Sequence, residues 1–381
     1  MILLPFYNYL FFAMFRNSVS VIFPELKIEL SVSEPLLGVL ITVELLTSLL
    51  TNFAAIPLER RFGRRGTCVL GLFLCFLGVL FFSFSGTYLL ALISLAIVGA
   101  GQGIFVPTFY STLGDALPKR RGIILGVANS VFTLGGFLGP IMVASLSVLY
   151  GWRVPFLLLA VGGLSGVIID YLLFKPLARE MFQRVPSTNP MIGLVRSRNI
   201  RILLISSFIS AFGMGTFLAW TPTFLRVIRS MEIGAAGLVF GLASAAGVIG
   251  CITAGGLSDS FDRRFVVFCF GIAAGLISFF FYSSPQEVFQ LAFLSIFFGF
   301  FSYPYWSLHM TLAQVSVGKE EITAATAFVR AAAVSGSAVA PLLTGVLIPL
   351  LGLFATLVYF IPFSFFLYGL FALTLTHLKT G

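Results

Sequence analysis

The sequence predicts an all-α membrane protein with twelve transmembrane helices in two related six-helix halves. Composition is the first observation, because 59% of the residues are apolar and 10% are charged, whereas soluble domains have about 25% charged residues. The second is a series of apolar runs long enough to span a bilayer, which takes ~20 helical residues. The third is an internal repeat. No alternation of the kind that barrel strands show is present.

The apolar runs can be counted along the chain, and short polar turns separate them. The first half holds runs at about 3–25, 35–56, 66–86, 88–111 and 122–149, and a sixth that ends near Lys175. The second half holds runs at about 201–225, 233–257, 264–283, 287–311, 320–349 and 352–377. We therefore predict an N-terminal bundle at 1–175, a polar linker at 176–200 and a C-terminal bundle at 201–381.

Several other classes of protein are excluded by the same composition. The net charge of +9 resides mainly in the turns, so it indicates membrane orientation and not nucleic-acid binding. The four cysteines lie in apolar runs without metal-type spacing and are expected to be small buried residues. No nucleophile–base set, metal triad or phosphate loop is present, so we expect no enzyme, no cofactor and no metal. The N-terminal run lacks a basic region and a cleavage site, and is expected to be the first span.

The basic residues alternate between the two ends of the predicted spans. With the N-terminus inside, 17 of the 23 Lys and Arg residues fall in cytoplasmic turns, linker and tail, and four fall outside. The remaining two, Arg16 and Arg330, lie within spans. The positive-inside rule therefore predicts that both termini are cytoplasmic, in a cell (inner) membrane.

The internal repeat is clearest in two basic turns. Residues Ile56–Arg65 return 199 positions later as Gly255–Arg264, with the final arginine pair in register. Proline pairs at Pro107/Pro304 and Pro140/Pro341 extend the repeat at offsets of 197 and 201. Paired helical repeats are typical of transporters, which bind substrate near the middle of the membrane.

These turns carry a family resemblance. The major facilitator superfamily has the motif G-x-x-x-D-R-x-G-R-R between spans two and three, and the terminal half of Ile56–Arg65 matches it. The first copy departs from the motif's glycine and aspartate, and has Arg60 at the aspartate position. The second copy keeps Gly255 and Asp259 but has Asp262 at the second glycine.

The resemblance extends over essentially the whole chain. The turn Gly151-Trp152-Arg153, followed by Phe156, and the pair Gly101-x-Gly103 also look like this superfamily. The resemblance implies the major facilitator fold, in which two pseudo-twofold six-helix bundles rock around a central site and open alternately to either side.

The resemblance also implies a cytoplasmic gate at the basic turns. Its residues would be Gly63, Arg64 and Arg65 in the first copy, and Asp259, Arg263 and Arg264 in the second. The first copy offers only Glu59, one position early and about 100° away on a helix. We therefore expect Asp259 to contribute more to closure. The alternative is that the arginines act only as topology anchors.

Charged residues inside spans are costly and usually face a pathway. Arg16, Glu44 and Arg330 are all predicted to lie in the central slab. Arg16-Asn17, with Pro24 downstream, is similar to the organic-phosphate and anion:cation branches, whose arginine at this position binds substrate. These branches' second arginine is replaced by Met214, and Arg330 resembles the arginine of carboxylate carriers instead. We expect further substrate contacts from Asn129, Gln102, Tyr9, Trp220, Tyr303 and Trp306.

Two arginines with one carboxylate leave a positive site that favours an anion. The alternative is that Arg16 and Glu44 form a structural ion pair. Glu44 is the predicted proton-coupling residue. Asp115 and Asp170 are expected in turns, and His309 is expected to be a packing residue.

The leading functional hypothesis is a secondary transporter of a small organic anion, a carboxylate, coupled to protons or a counter-anion. One alternative is an exporter of hydrophobic or drug-like compounds, because Gly135, Gly139 and Pro140 partly match the exporters' span-five motif. The other is a non-transporting receptor or assembly factor. The expected partners are a small anionic molecule and the lipid bilayer, without nucleic acid, and we expect a monomer.

Overall fold

The computed structural model describes residues 4–116, 121–173, 197–283, 287–318 and 321–376. Throughout these ranges the regular structure is helical, without strands. Eleven helical segments in them are long and apolar enough to cross a membrane. The predicted linker lies outside the described residues as far as 196, and so do Lys119 and Arg120 of the basic turn after the fourth span.

The chain divides into two compact units. Unit 1 contains the described residues up to 173 together with Leu225–Gly241, and unit 2 contains 197–224 and 242–376. The helices before residue 174 are α1 (Leu4–Arg16), α2 (Phe23–Glu29), α3 (Glu34–Asn52), α4 (Ala55–Ser83), α5 (Tyr88–Ala116), α6 (Arg121–Tyr150) and α7 (Arg153–Leu173).

The second half of the chain has the same span pattern. Its helices are α8 (Arg198–Val227), α9 (Ile233–Ser260), α10 (Arg263–Ser283), α11 (Val288–Ser302), α12 (Tyr305–Val315), α13 (Ile322–Leu351) and α14 (Leu353–Leu373). Helices α11 and α12 together form one span of 28 residues, Val288–Val315, which is interrupted at Tyr303-Pro304. Proline lacks the backbone donor that a continuous helix needs, which accounts for this interruption.

The first span differs from the single helix that the sequence predicts. Helix α1 ends at Arg16, one 3₁₀ turn follows at Val19–Ile22, and α2 completes the span. The side chains of Asn17 and Ser18 donate hydrogen bonds to the carbonyl oxygens four residues earlier, at 2.8 and 2.6 Å. Both residues are buried. Polar side chains can satisfy backbone groups where a membrane helix breaks, so this local sequence stabilises the interruption.

Glycines set the closest helix approaches in each unit. A Cβ atom at Gly99 of α5 would overlap the carbonyl oxygen of Glu44 on α3. In unit 2, a Cβ atom at Gly299 of α11 would likewise overlap the carbonyl oxygen of Ala243 on α9. Small residues allow membrane helices to approach closely in this way. The second and fourth spans of each half therefore pack backbone to backbone.

The turn between α6 and α7 is fastened to neighbouring loops. Gly151 has φ +79°, a conformation that favours glycine. Trp152 Nε1 donates to Glu29 Oε2 at 2.6 Å, and Arg153 contacts Glu29 at 2.5 Å and the Ser85 carbonyl at 2.9 Å. The hydrogen bond from Arg153 lowers the pKa of the Glu29 carboxyl. The Gly-Trp-Arg motif therefore links the turn between the fifth and sixth spans to the ends of the first and third spans.

Candidate functional site

Arg16 lies at the break in the first span, on the last residue of α1. The C-terminus of a helix carries partial negative charge, which favours a cation there. Interrupted helices at membrane depth are also where transporters commonly bind substrate. No sequence pattern predicted this break. It coincides with Arg16, which the sequence analysis selected as a substrate-binding residue.

Arg16 and Glu44 form an ion pair within unit 1. Arg16 Nη1 donates to Glu44 Oε1 at 3.0 Å, and the two side chains are 18% and 1% exposed. The pairing that the sequence left as an alternative is therefore present. It supplies Glu44 with the charge compensation that a buried carboxylate needs. Because the two charges cancel, unit 1 offers little net positive charge at this point.

Tyr9 and Asn129, two predicted substrate contacts, belong to one hydrogen-bonded chain. The Tyr9 and Tyr110 hydroxyls lie 3.2 Å apart, and Tyr110 donates to Asn129 Oδ1 at 2.9 Å. Tyr9 is buried, Tyr110 is half-buried and Asn129 is exposed. This series of hydrogen bonds thus extends from the buried Tyr9 to the exposed amide of Asn129. Sequence reasoning missed Tyr110, since one tyrosine among many aromatic residues gives no signal before α1, α5 and α6 are packed together.

Gln102 is held on a tightly packed part of α5. Its glycine neighbours at 101 and 103 abut α4 and α3, where a Cβ atom would overlap backbone atoms. Gln102 itself is half-buried. Its Oε1 atom is buried and accepts no hydrogen bond from the residues that the structure describes. An unsatisfied buried acceptor is costly, and the role of Gln102 as a substrate contact stays a prediction.

Arg330 is the ninth of the 30 residues of α13 in unit 2 and is exposed. The exposed apolar stripe of the same helix includes Leu343, Val346 and Leu350. At 100° per residue, Arg330 is about 160° from Val346 and therefore on the opposite side from this stripe. Its guanidinium has no ion-pair partner in the described part of the chain. The exposed charge of Arg330 therefore lies on a different side of α13 from these three apolar residues.

The helix that carries Arg330 is held close to α8. Ser207 donates to the carbonyl of Val329 at 3.1 Å, and a Cβ atom at Gly336 would overlap the carbonyl of Phe208. The backbone beside Arg330 is therefore packed against α8. Such an arrangement presents a charge from a rigid element.

The predicted aromatic contacts of unit 2 differ in accessibility. Trp220 is fully buried. Tyr303 is half-buried, lies at the interruption between α11 and α12, and its hydroxyl is 2.5 Å from that of Ser244. Trp306 is half-buried and packs edge-on against Tyr305. Tyr303 and Trp306 have accessible surface for a ligand, and the substrate-binding roles of all three residues stay predictions.

His309 is a packing residue, as expected. It is 1% exposed. Its Nε2 atom lies 3.0 Å from Ser206 Oγ and its Nδ1 atom 2.8 Å from the Tyr305 carbonyl. Both ring nitrogens are thereby satisfied within unit 2.

The first basic turn is built around a glycine. Gly63 has φ +70°, which side chains disfavour. Glu59 Oε2 lies 3.9 Å from Arg64 Nε, and the Glu59 side chain is 13% exposed. Arg65 donates to the carbonyl of Tyr171. The acidic residue that lies one position early in the motif therefore still reaches an arginine of its own turn.

The second basic turn is built around a helix cap. Asp262 Oδ1 accepts a hydrogen bond from the Arg264 backbone N–H at 2.9 Å, and its other oxygen pairs with the Arg264 guanidinium at 2.7 Å. This hydrogen bond to Arg264 lowers the pKa of Asp262. Asp259 is 75% exposed and lies 3.6 Å from Arg263. The loss of the motif glycine at Asp262 is thus explained by an N-cap that begins α10.

Comparison with known proteins identifies the family. The sequence profile of the Major Facilitator Superfamily matches residues 6–341. A hexuronate transporter of Bacillus subtilis is 24% identical over 369 residues, covering 89% of this chain and 85% of the relative. A probable L-galactonate transporter of Escherichia coli is 24% identical over 64% of this chain and 58% of its own length.

Solved structures give the same fold. The nucleoside transporter NupG superposes with a TM-score of 0.80 at 12% identity, over 98% of both chains. A bacterial homolog of the human lysosomal transporter Spinster gives a TM-score of 0.79 at 15% identity, over 98% of this chain and 94% of the other. The chain belongs to the Major Facilitator Superfamily and is a multi-pass membrane transporter, not an enzyme.

Proposed function

We propose that this transporter carries a small organic anion with a carboxylate group. The observation that carries the proposal is Arg330, an exposed arginine within α13, away from the apolar stripe of that helix and without an ion-pair partner in the described ranges. Arginine binds carboxylates through two parallel hydrogen bonds, and such pairs are strong where water is scarce. The hexuronate and galactonate transporters among the relatives support this substrate class.

Arg16 and Glu44 supply the coupling in this proposal. A substrate carboxylate that binds Arg16 competes with Glu44, which is 3.0 Å away. Once separated from its cation, Glu44 becomes a buried carboxylate, and binding a proton removes that cost. One carboxylate and one proton then enter together, and release of the substrate restores the ion pair. Exchange for a counter-anion is the other form of coupling, in which a second anion takes the place of the first.

The remaining site residues extend the proposal. Asn129, linked to Tyr9 through Tyr110, and Gln102 supply hydrogen bonds for hydroxyl or carbonyl groups of the substrate. The transporter works as a monomer in the cell membrane with both termini in the cytoplasm, as the charge of the turns indicates. The two basic turns form its cytoplasmic gate.

The two glycines that suggested the exporter alternative have a packing role in the structure. A Cβ atom at Gly135 would lie 2.5 Å from Ala13 Cβ, and one at Gly139 would overlap the carbonyl of Met14. Both glycines therefore serve the close packing of α6 on α1, beside the break at Arg16. This packing role does not depend on the kind of substrate that is carried.

Counterflow in proteoliposomes tests the substrate class. We expect exchange of labelled glucuronate, little exchange of inorganic phosphate and no movement of a cationic dye. Arg330→Gln should reduce glucuronate exchange at least ~30-fold, the loss that follows when a charged partner worth ~2 kcal/mol or more is removed. Arg201→Gln is the matched control, since Arg201 is an exposed arginine of the same unit near the start of α8. Dye transport, or full glucuronate exchange by Arg330→Gln, would contradict the proposal.

A further inference from the structure

Asp170 is a buried carboxyl group that the proposed mechanism does not use. The sequence places it in a turn at a helix end, but the structure places it inside α7, and it is 4% exposed. The structure therefore corrects the expectation that Asp170 lies in a turn. A carboxyl group at this depth needs a partner, so the identity of that partner decides what Asp170 can do.

The partner of Asp170 is a neutral amide. Asn8 Nδ2, on α1, donates to Asp170 Oδ2 at 2.6 Å, and Asn8 is 0% exposed. The remaining oxygen of each group, Oδ1 of Asp170 and Oδ1 of Asn8, is buried and has no hydrogen-bond partner among the described residues. Two adjacent side chains thus each leave one acceptor unsatisfied.

The groups around Asp170 offer it no compensating charge. The Cys68 thiol lies near it on α4, and Tyr7 on α1 donates to the carbonyl of Gly162 at 3.4 Å. Arg65 donates to the carbonyl of Tyr171 and lies 5.5 Å above the ring of the same residue. Over the ranges that the structure describes, no cation lies within ion-pair distance of Asp170.

Glu44 provides a comparison within the same unit. Both carboxyl groups are almost fully buried, but Glu44 has the guanidinium of Arg16 at 3.0 Å and Asp170 has only an amide. A buried charge without a counter-charge is costly, and the usual escape is to bind a proton.

A proton would also satisfy both orphaned oxygens. Protonated at Oδ1, Asp170 can donate to Asn8 Oδ1 while Asn8 Nδ2 donates to Asp170 Oδ2. The acid and the amide then form a cyclic pair with two hydrogen bonds, and no buried acceptor remains unsatisfied. We propose that Asp170, paired with Asn8, is a proton-binding site that is occupied at neutral pH. This inference does not depend on which substrate the transporter carries.

The site is placed to influence the first span. Asn8 and Arg16 are both on α1, eight residues and about 12 Å apart. The acid–amide pair fastens the arm of the first span that ends at Arg16 to α7. Loss of the proton would replace two hydrogen bonds by one and leave a charge in an apolar setting, which loosens this attachment.

Infrared difference spectroscopy on the purified full-length transporter tests the site. A protonated carboxyl group absorbs above the amide band, and its signal disappears when alkaline buffer removes the proton. We expect this band in the wild-type protein at neutral pH, and its loss in Asp170→Asn. In Asn8→Leu the band should move to higher frequency, because its hydrogen bonds are lost.

Glu44→Gln is the matched control, because it removes the other buried carboxyl group of unit 1. The Asp170 band should survive this change. If Asp170→Asn does not fold, Asp170→Glu gives the same information by shifting the band. Absence of the band in the wild-type protein, its persistence unchanged in the Asp170 variants, or its loss only in Glu44→Gln would each overturn the proposal.

Discussion

The two basic turns are copies in sequence, yet different interactions stabilise them. In the first copy α4 is kinked at Gly63, a glycine with φ +70°. In the second copy the corresponding residue is Asp262, whose carboxylate caps the next helix and binds Arg264. Both copies retain an acid–arginine contact, Glu59–Arg64 and Asp259–Arg263. The comparison shows that the repeat preserves a turn and its charges while the stabilising interaction has changed.

The intramembrane arginines differ in the same manner. Arg16 in unit 1 is largely buried and paired with Glu44, whereas Arg330 in unit 2 is exposed and has no carboxylate partner within the described residues. The residue at the position of Arg330 in the first half is Asn129, a neutral amide. Unit 1 therefore neutralises the charge of Arg16 internally, whereas the described part of unit 2 does not neutralise that of Arg330. This division predicts different consequences for the same substitution.

The largest expected effect is the loss of protein stability when the paired arginine, Arg16, is replaced. Arg16→Gln leaves Glu44, which is 1% exposed, without its cation, and breaking a buried pair costs ~3–5 kcal/mol. Thermal unfolding of the purified protein should measure this loss. The double variant Arg16→Gln/Glu44→Gln should recover most of the stability, because no buried charge is left.

Arg330→Gln is the comparison for that experiment. Because Arg330 is exposed and unpaired in the described chain, its replacement should change stability by less than ~0.5 kcal/mol. The contrast between the two units would be broken if Arg330→Gln destabilised the protein as much as Arg16→Gln does.

A smaller effect should distinguish the two turns. Gly63→Ala introduces a Cβ atom with nothing within 4 Å of it, so its cost is that of the Gly63 backbone conformation, φ +70° and ψ 167°. This region is nearly restricted to glycine, and other residues there cost ~1–3 kcal/mol. Asp262→Ala removes a helix cap and should cost ~1 kcal/mol. Both values are differences in unfolding free energy from the wild-type protein.

Gly256→Ala is the control for the glycine. Gly256 lies within α9, also has open space around it and has no left-handed conformation. Alanine there should stabilise the helix by ~0.5–1 kcal/mol. Equal effects of Gly63→Ala and Gly256→Ala would show that the conformation of Gly63 does not hold the first turn.

The sequence predicted the features that depend on local pattern. The twelve spans follow from apolar runs, and Gly63 from its place in the family motif. The break after Arg16 was not predicted, because Asn17 and Ser18 look like two polar residues within an apolar run until their hydrogen bonds to the backbone are seen. A polar pair inside a span is the signal that could have indicated it.

Pairing between helices lay beyond the sequence for a different reason. Tyr110 joins Tyr9 to Asn129, residues 101 and 19 positions away, and Asp170 meets Asn8 across 162 positions. Nothing local distinguishes a tyrosine or an aspartate with such a partner from one without it. The position of Asp170 near a helix end suggested a turn, and tertiary packing of α7 on α1 determined its burial instead.

The smallest expected effect is a difference in acid sensitivity between the turns. The hydrogen bond from Arg264 lowers the pKa of Asp262, so this contact stabilises the fold fully above the unfolded-state pKa of about 3.9. Its contribution is lost as pH falls through the lower folded-state value. Asp262→Asn keeps a capping side chain but cannot ionise. Because Asp262 is 49% exposed, the stability difference between wild type and variant should be below ~1 kcal/mol at neutral pH. In thermal unfolding across acidic pH, that difference should vanish, whereas the difference for the uncharged control Ser260→Ala should stay constant. A wild-type advantage that persists in strong acid would show that the ionised Asp262 carboxylate does not stabilise the second turn.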